Sequence, residues 1–161
     1  MSKRTLYARF PDKEAVFLAV AQRLIAAWLA GFDAAVEGAP SLDAALLVAG
    51  QRMLGVTLTP SALALHRLMV AEAGRFPELA EAMRDAGAHA GVERVSRVLR
   101  AHRPDDSPAR LAFLAEQFQH LVLAGPRARA VGLGECLDRE ALDAWCRDSV
   151  ALFLRGLPTR T

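Results

Sequence analysis

The sequence predicts an all-α fold, a helical bundle, and three observations carry that prediction. Ala, Leu, Arg and Glu dominate the 161 residues, while β-branched residues alternating at period two are hard to find. Apolar residues recur at i, i+4 over long stretches, which is the spacing of one buried helix face. Helix-start signals recur at Asp12, Ser41, Thr59-Pro60, Ser107-Pro108 and Asp138. With 53% hydrophobic residues and this length, one unit with a sizeable core is expected.

Taken in order, Asp12 is a predicted N-cap, with Lys13-Glu14 opening a long helix behind it. Val16, Val20, Leu24, Trp28, Phe32 and Val36 stripe that helix, widened by Phe17 and Ile25, until Gly38-Ala39-Pro40 ends it. Ser41 caps a second helix carrying Leu42, Leu46, Leu47, Met53 and Leu54. Thr59-Pro60 places a cap before a proline whose missing N–H is harmless at the first helical position, and Leu63 to Ala73 follows. Phe76-Pro77 restarts the chain into a helix reaching about His102, and Arg103-Pro104-Asp105-Asp106 is a turn. Ser107-Pro108 opens a helix striped by Leu111, Leu114, Phe118, Leu121 and Val122 to about Ala124. Gly125-Pro126 is expected to interrupt it, leaving Arg127 to Leu137 irregular. Asp138 caps the last helix, with Leu142, Trp145, Leu152 and Phe153 expected inward. About six full helices result, preceded by a short opening segment.

Several function classes find no support. The formal net charge of +2 does not by itself identify a nucleic-acid or membrane partner. No apolar run approaches the roughly 18–20 residues of a membrane span, and Arg9, Asp12, Lys13 and Glu14 interrupt any signal-peptide core, so the expected location is cytoplasmic. Cys136 and Cys146 form neither a disulfide framework nor zinc spacing. Glu116 and His120 stand i, i+4, but no second pair at matching spacing completes a di-iron bundle. Gly132-Leu133-Gly134-Glu135 lacks the third glycine of a dinucleotide loop, and nucleophile-elbow and phosphate-loop patterns do not occur. No cofactor and no metal are expected, and no enzyme activity.

The opening residues, Met-Ser-Lys-Arg-Thr-Leu-Tyr-Ala-Arg-Phe-Pro-Asp-Lys-Glu-Ala-Val-Phe, carry the most specific signal. A helix with Leu6 and Phe10 on one side leaves Lys3, Arg4, Thr5 and Tyr7 outward as donors to phosphates and base edges. Lys3, Arg4, Arg9 and Lys13 outnumber Asp12 there, which suits a polyanion and implies salt sensitivity. The segment resembles the end of the helix-turn-helix of TetR-family transcriptional regulators. Ser2, Lys3, Thr5, Leu6, Tyr7, Phe10, Lys13, Glu14 and Phe17 match that pattern as they stand. The resemblance implies a recognition helix over residues 2–10, with Ser2 in its opening turn. Tyr7 and Lys13 would hold phosphates, and Lys3, Arg4 and Thr5 would lie nearer the bases. Arg67 to Ala80, Glu116-Gln117-Phe118, Leu123 to Pro126 and Leu152 to Leu157 resemble the effector domain of AefR-like members.

That resemblance implies two regions. Residues 1–37 hold the remnant of the DNA-binding domain and a connecting helix, and residues 41–157 form a ligand-binding and dimerisation domain. Helices 107–124 and 138–155 would pair with their twofold mates through Leu114, Phe118, Leu121, Val122, Trp145 and Phe153, although the same stripes can fill a monomer core. Trp28, Phe32, Gln51, Met53, Arg67, Phe113 and Gln117 are candidates for an effector pocket, being on or beside apolar helix faces. Arg67 has the alternative of pairing with Glu72.

The implied function is a DNA-binding regulator, a repressor released by a small apolar effector and acting as a homodimer on palindromic double-stranded DNA. The family's reader has three helices, and its first two would precede residue 1. Met1 stands where the family usually has a small aliphatic residue, so an internally assigned start is one expectation. The other is an N-terminally truncated ligand-binding and dimerisation protein without competent DNA binding.

Overall fold

A computed structural model describes residues 10, 12, 15–16, 18–20, 22–23, 26, 30–74, 77, 81 and 89–157. Six helices appear among them: α1 (Phe32–Glu37), α2 (Leu42–Thr57), α3 (Pro60–Glu72), α4 (Ala90–His102), α5 (Pro108–Ala130) and α6 (Arg139–Gly156). No strand occurs among the described residues. The all-α expectation is met.

The predicted helix starts hold because each is decided within four residues. Asp12, Ser41, Thr59, Ser107 and Asp138 each accept a hydrogen bond from the backbone N–H three residues on, at Ala15, Ala44, Ala62, Arg110 and Ala141. Each bond satisfies an N–H that the helix itself leaves unpaired. Pro60 and Pro108 occupy the first helical positions, as expected.

Two boundaries differ from the expectation. The connecting helix does not run unbroken to Gly38: the chain turns at Ala30-Gly31, where Gly31 adopts φ +74°, before α1 begins. This left-handed backbone is open to glycine because it has no Cβ. The turn sends Phe32 into the core at 1% exposure. The second difference is at Gly125-Pro126, which α5 passes through without interruption to end at Ala130. Proline removes the N–H that the Val122 carbonyl would accept. Here the indole Nε1 of Trp145 donates to that carbonyl instead, at 3.0 Å. A Cβ on residue 125 would lie 2.6 Å from the Trp145 ring, so glycine leaves the space the indole fills. The residues 131–137 that follow are irregular, as expected.

The core forms around α2, which packs against α1, α4, α5 and α6. Leu46, Ala49 and Met53 meet Val95 and Leu99 of α4, Leu111, Phe118 and Val122 of α5, and Cys146 and Val150 of α6 in one cluster. Helices α5 and α6 run antiparallel: Phe118 meets Phe153 edge-on at 5.2 Å between ring centres, while Val122 meets Trp145. Gly50 of α2 touches α6 so closely that a Cβ there would stand 2.7 Å from Cys146 Sγ. Helix α3 is different. The axis bends by 72° between α2 and α3, and α3 has no buried residue among those described. Val70 is 67% exposed. No single helix among the described residues is long and apolar enough to cross a membrane.

Candidate functional site

The residues expected to touch DNA, Ser2, Lys3, Arg4, Thr5, Tyr7 and Lys13, lie outside the described residues, as does Trp28. The others can be placed.

The six expected interface residues divide. Leu114, Phe118, Val122 and Phe153 are buried within the single chain, with Phe118 and Val122 wholly enclosed. They fill the core against α2, the alternative that the same stripes left open. Leu121 is half-buried against that core, and half-buried Trp145 spends its N–H on Val122. The outward side of α5 carries other residues: Phe113, Gln117, His120 and Ala124, at the 4-3-4 spacing of one helix stripe. On α6, Asp148, Leu152 and Arg155 are outward, and Leu152, expected inside, is 53% exposed. Apolar periodicity reports that a face is covered without saying by what, so core and interface read alike in the sequence.

The expected pocket residues do not converge. Phe32 and Met53 are sealed in the core at 1% exposure, and Gln51 is exposed on α2. Phe113, 49% exposed, and Gln117 lie on the outer stripe of α5, with the Arg110 guanidinium 5.4 Å from the centre of the Phe113 ring. Arg67 reaches from α3 to the end of α5, where its Nη2 donates to the Ala130 carbonyl at 2.9 Å. That carbonyl is one that the helix end leaves unpaired, so Arg67 acts as a cap across the fold.

The Arg67 contact marks a seam between α3 and the last turn of α5 that sequence reasoning missed. His66 and Arg127 are both half-buried there. Burial, and then the positive charge of Arg127, lower the His66 pKa and favour the neutral imidazole. Burial lowers the Arg127 pKa as well. Leu63 and Met69 are half-buried on α3 one turn to either side of His66. The signal was present in the sequence: Leu123, Arg127 and Ala130 keep helical spacing across Pro126, but a helix ended at Ala124 hides it. Cys146 is unlike this seam. Burial and Asp143 outweigh Arg147 and push its thiol up to about 11, which makes it a small core residue. His120 Nε2 stands 3.8 Å from Glu116 Oε1, and among the described residues no group of three His, Cys, Asp or Glu side chains gathers to hold a metal.

The family model for the C-terminal domain of AefR-like transcriptional repressors matches residues 44–156, the stretch that folds into α2 to α6. The chain belongs to the TetR family. Solved structures agree with this TetR-family assignment. A TetR-family transcriptional regulator from Mesorhizobium loti MAFF303099 shares the fold, with a TM-score of 0.79 at 23% identity over 96% of this chain and 79% of its own. The flavonoid-responsive regulator FrrA gives a TM-score of 0.72 at 27% identity over 100% of this chain and 83% of its own. No curated protein matches significantly. This TetR-family chain therefore spans about four-fifths of the length of each solved relative.

Proposed function

We propose that this TetR-family chain is a homodimeric, DNA-binding repressor released by a small aromatic effector. The family match over 44–156 carries the reading, and the Ser2 to Phe17 pattern at its N-terminal side supports it. The dimer forms through the outward faces of α5 and α6, where Phe113, Gln117 and Leu152 are available, and the buried stripe behind them holds each protomer together. Residues 1–37 supply the contacts to DNA, and 41–157 bind the effector. Because FrrA is named for its response to flavonoids, a planar polyphenol of that size is the effector class supported best.

The effector acts by preferring one arrangement of the two DNA-reading ends over the other, and the shift it achieves is bounded by that difference in affinity. The test is fluorescence anisotropy of the protein, expressed from its own gene region in its own host, with palindromic fragments from that region. Binding to one fragment should exceed binding to scrambled DNA and weaken steeply as salt rises. An intact dimer that binds all sequences equally and weakly refutes the regulator reading.

A further inference from the structure

Among the described residues, one buried side-chain polar atom has no hydrogen-bond partner: Nε of Arg94, near the start of α4. The side chain that carries it is 16% exposed, and an unpaired buried donor is costly, more so when it bears charge. The anion facing it is Asp33 of α1, whose Oδ1 stands 3.7 Å away. The same oxygen stands 3.7 Å from Nη1 of Arg97, which is exposed and follows Arg94 on that face of α4. Each is an ion-pair contact, longer by roughly 0.8–1.0 Å than a charge-assisted hydrogen bond. One small approach of Asp33 to α4 shortens both, because both end on one oxygen.

What Asp33 holds is the entry to the core. Helix α1 has six residues, too few to be stable without partners. It packs along α2, and Phe32 is its anchor in the core. Asp33, the residue after that anchor, ties the same turn to α4, so two adjacent side chains fix the pose of α1 from two directions. Gly31, the residue before the anchor, adopts φ +74° and has nothing closer than 3.8 Å to where a Cβ would stand. The chain ahead of α1 therefore enters at an uncrowded turn, and the ion pairs of Asp33 restrain its angle.

We infer that Asp33 straps α1 onto α4, closing on Arg94 Nε as its inner seat and Arg97 as its outer one, and that the strap sets the angle at which the residues before Gly31 join the core. Its effect on DNA binding rests on the regulator reading; the strap itself does not.

The experiment follows the Arg94 Nε proton by NMR in the full chain and in its Asp33→Ala and Asp33→Glu variants. That proton should exchange slowly with water in the unaltered chain and quickly in Asp33→Ala. Asp33→Glu, longer by one methylene, should keep it slow. The Ala35 amide, which donates to the Gly31 carbonyl at 3.2 Å, should exchange about fivefold faster in Asp33→Ala and in Arg94→Gln, the factor of one net hydrogen bond. The double variant should be no faster than either. Thermal melts confirm that all variants fold. Asp33→Ala also removes a negative charge, which by electrostatics alone would tighten binding to DNA. On a palindromic fragment from its own gene region it should instead bind about fivefold more weakly, with the same slope against log salt, because no phosphate contact is lost. A fast Arg94 Nε proton in the unaltered chain, or independent effects of Asp33→Ala and Arg94→Gln on Ala35, overturn the strap. Unchanged or tighter DNA binding by Asp33→Ala overturns its control of the entry angle. A slow proton and coupled variants in a chain that binds no DNA establish the strap and remove the regulator reading.

Discussion

The hydrogen bond from Trp145 to the Val122 carbonyl allows a test in which two substitutions should rescue one another. Trp145→Phe removes the donor and leaves a carbonyl on wholly enclosed Val122 with no proton from residue 126, because that residue is proline. Leaving a buried acceptor unpaired costs about 1–3 kcal/mol. The smaller ring also gives up contact over Gly125, where the indole sits within 2.6 Å of a built Cβ position, so the whole effect falls in the upper part of that range or beyond. Pro126→Ala restores the ordinary helical N–H to the same carbonyl. In that background Trp145→Phe should be milder by about 1 kcal/mol, the net worth of one intramolecular hydrogen bond. At this chain length about 1 kcal/mol corresponds to roughly 2–4 °C in Tm. The assay is urea and thermal unfolding of the four proteins at one fixed protein concentration, since association shifts apparent stability. A coupling of zero within error would refute the claim that Trp145 supplies what Pro126 withholds.

The other expectations concern separate parts of the fold. Gly31→Val should destabilise by about 1–2 kcal/mol in urea unfolding through backbone strain alone, because the nearest atom to a built Cβ, Arg52 Nη1, is 3.8 Å away; an unchanged midpoint would mean that the turn is remodelled at no cost. Under native conditions at neutral pH a thiol reagent should modify exposed Cys136 quickly and Cys146, whose thiol is pushed up to about 11, only after unfolding. Two equally fast thiols would show that the α2–α6 contact is open in solution. Phe113→Glu with Leu152→Glu should turn the dimer into a monomer in sedimentation velocity with the helical signal kept, whereas Phe118→Ala should lower stability by about 3–5 kcal/mol as a core truncation. A double variant that remains dimeric places the interface elsewhere.

Local features were legible in the sequence, and features decided at a distance were not. The caps at Ser41, Thr59, Ser107 and Asp138 were readable because donor and acceptor are three residues apart. The path of α5 through Pro126 was unreadable because the group that makes it tolerable lies on the next helix, at Trp145. Phe113 and Phe118 show the same limit. Both lie on one apolar-rich helix, yet one is 49% exposed and the other 0%, and the positions of α2 and α6 decide between them. At the candidate site, Arg67 was noticed but its partner was not: the Ala130 carbonyl is 63 residues away and belongs to a turn that local rules had already ended.

The contrast between the two ends of α5 has a kinetic meaning. Its start is set by Ser107 and Pro108, groups that meet on the time scale of a single helical turn, so the first turns can form while the chain is still open. Its last turns, beyond Pro126, lack one rung of their own ladder until α6 swings back and delivers Trp145. Order along this helix should therefore spread from Ser107 towards Ala130, with its final stretch waiting on the arrival of α6. Pulsed amide exchange during refolding would show protection near Leu114 before protection near Arg127, and simultaneous protection would mean that the proline imposes no such delay. A residue that looks like a stop signal in the chain thus serves as a timing element, tying the completion of one helix to the docking of the next.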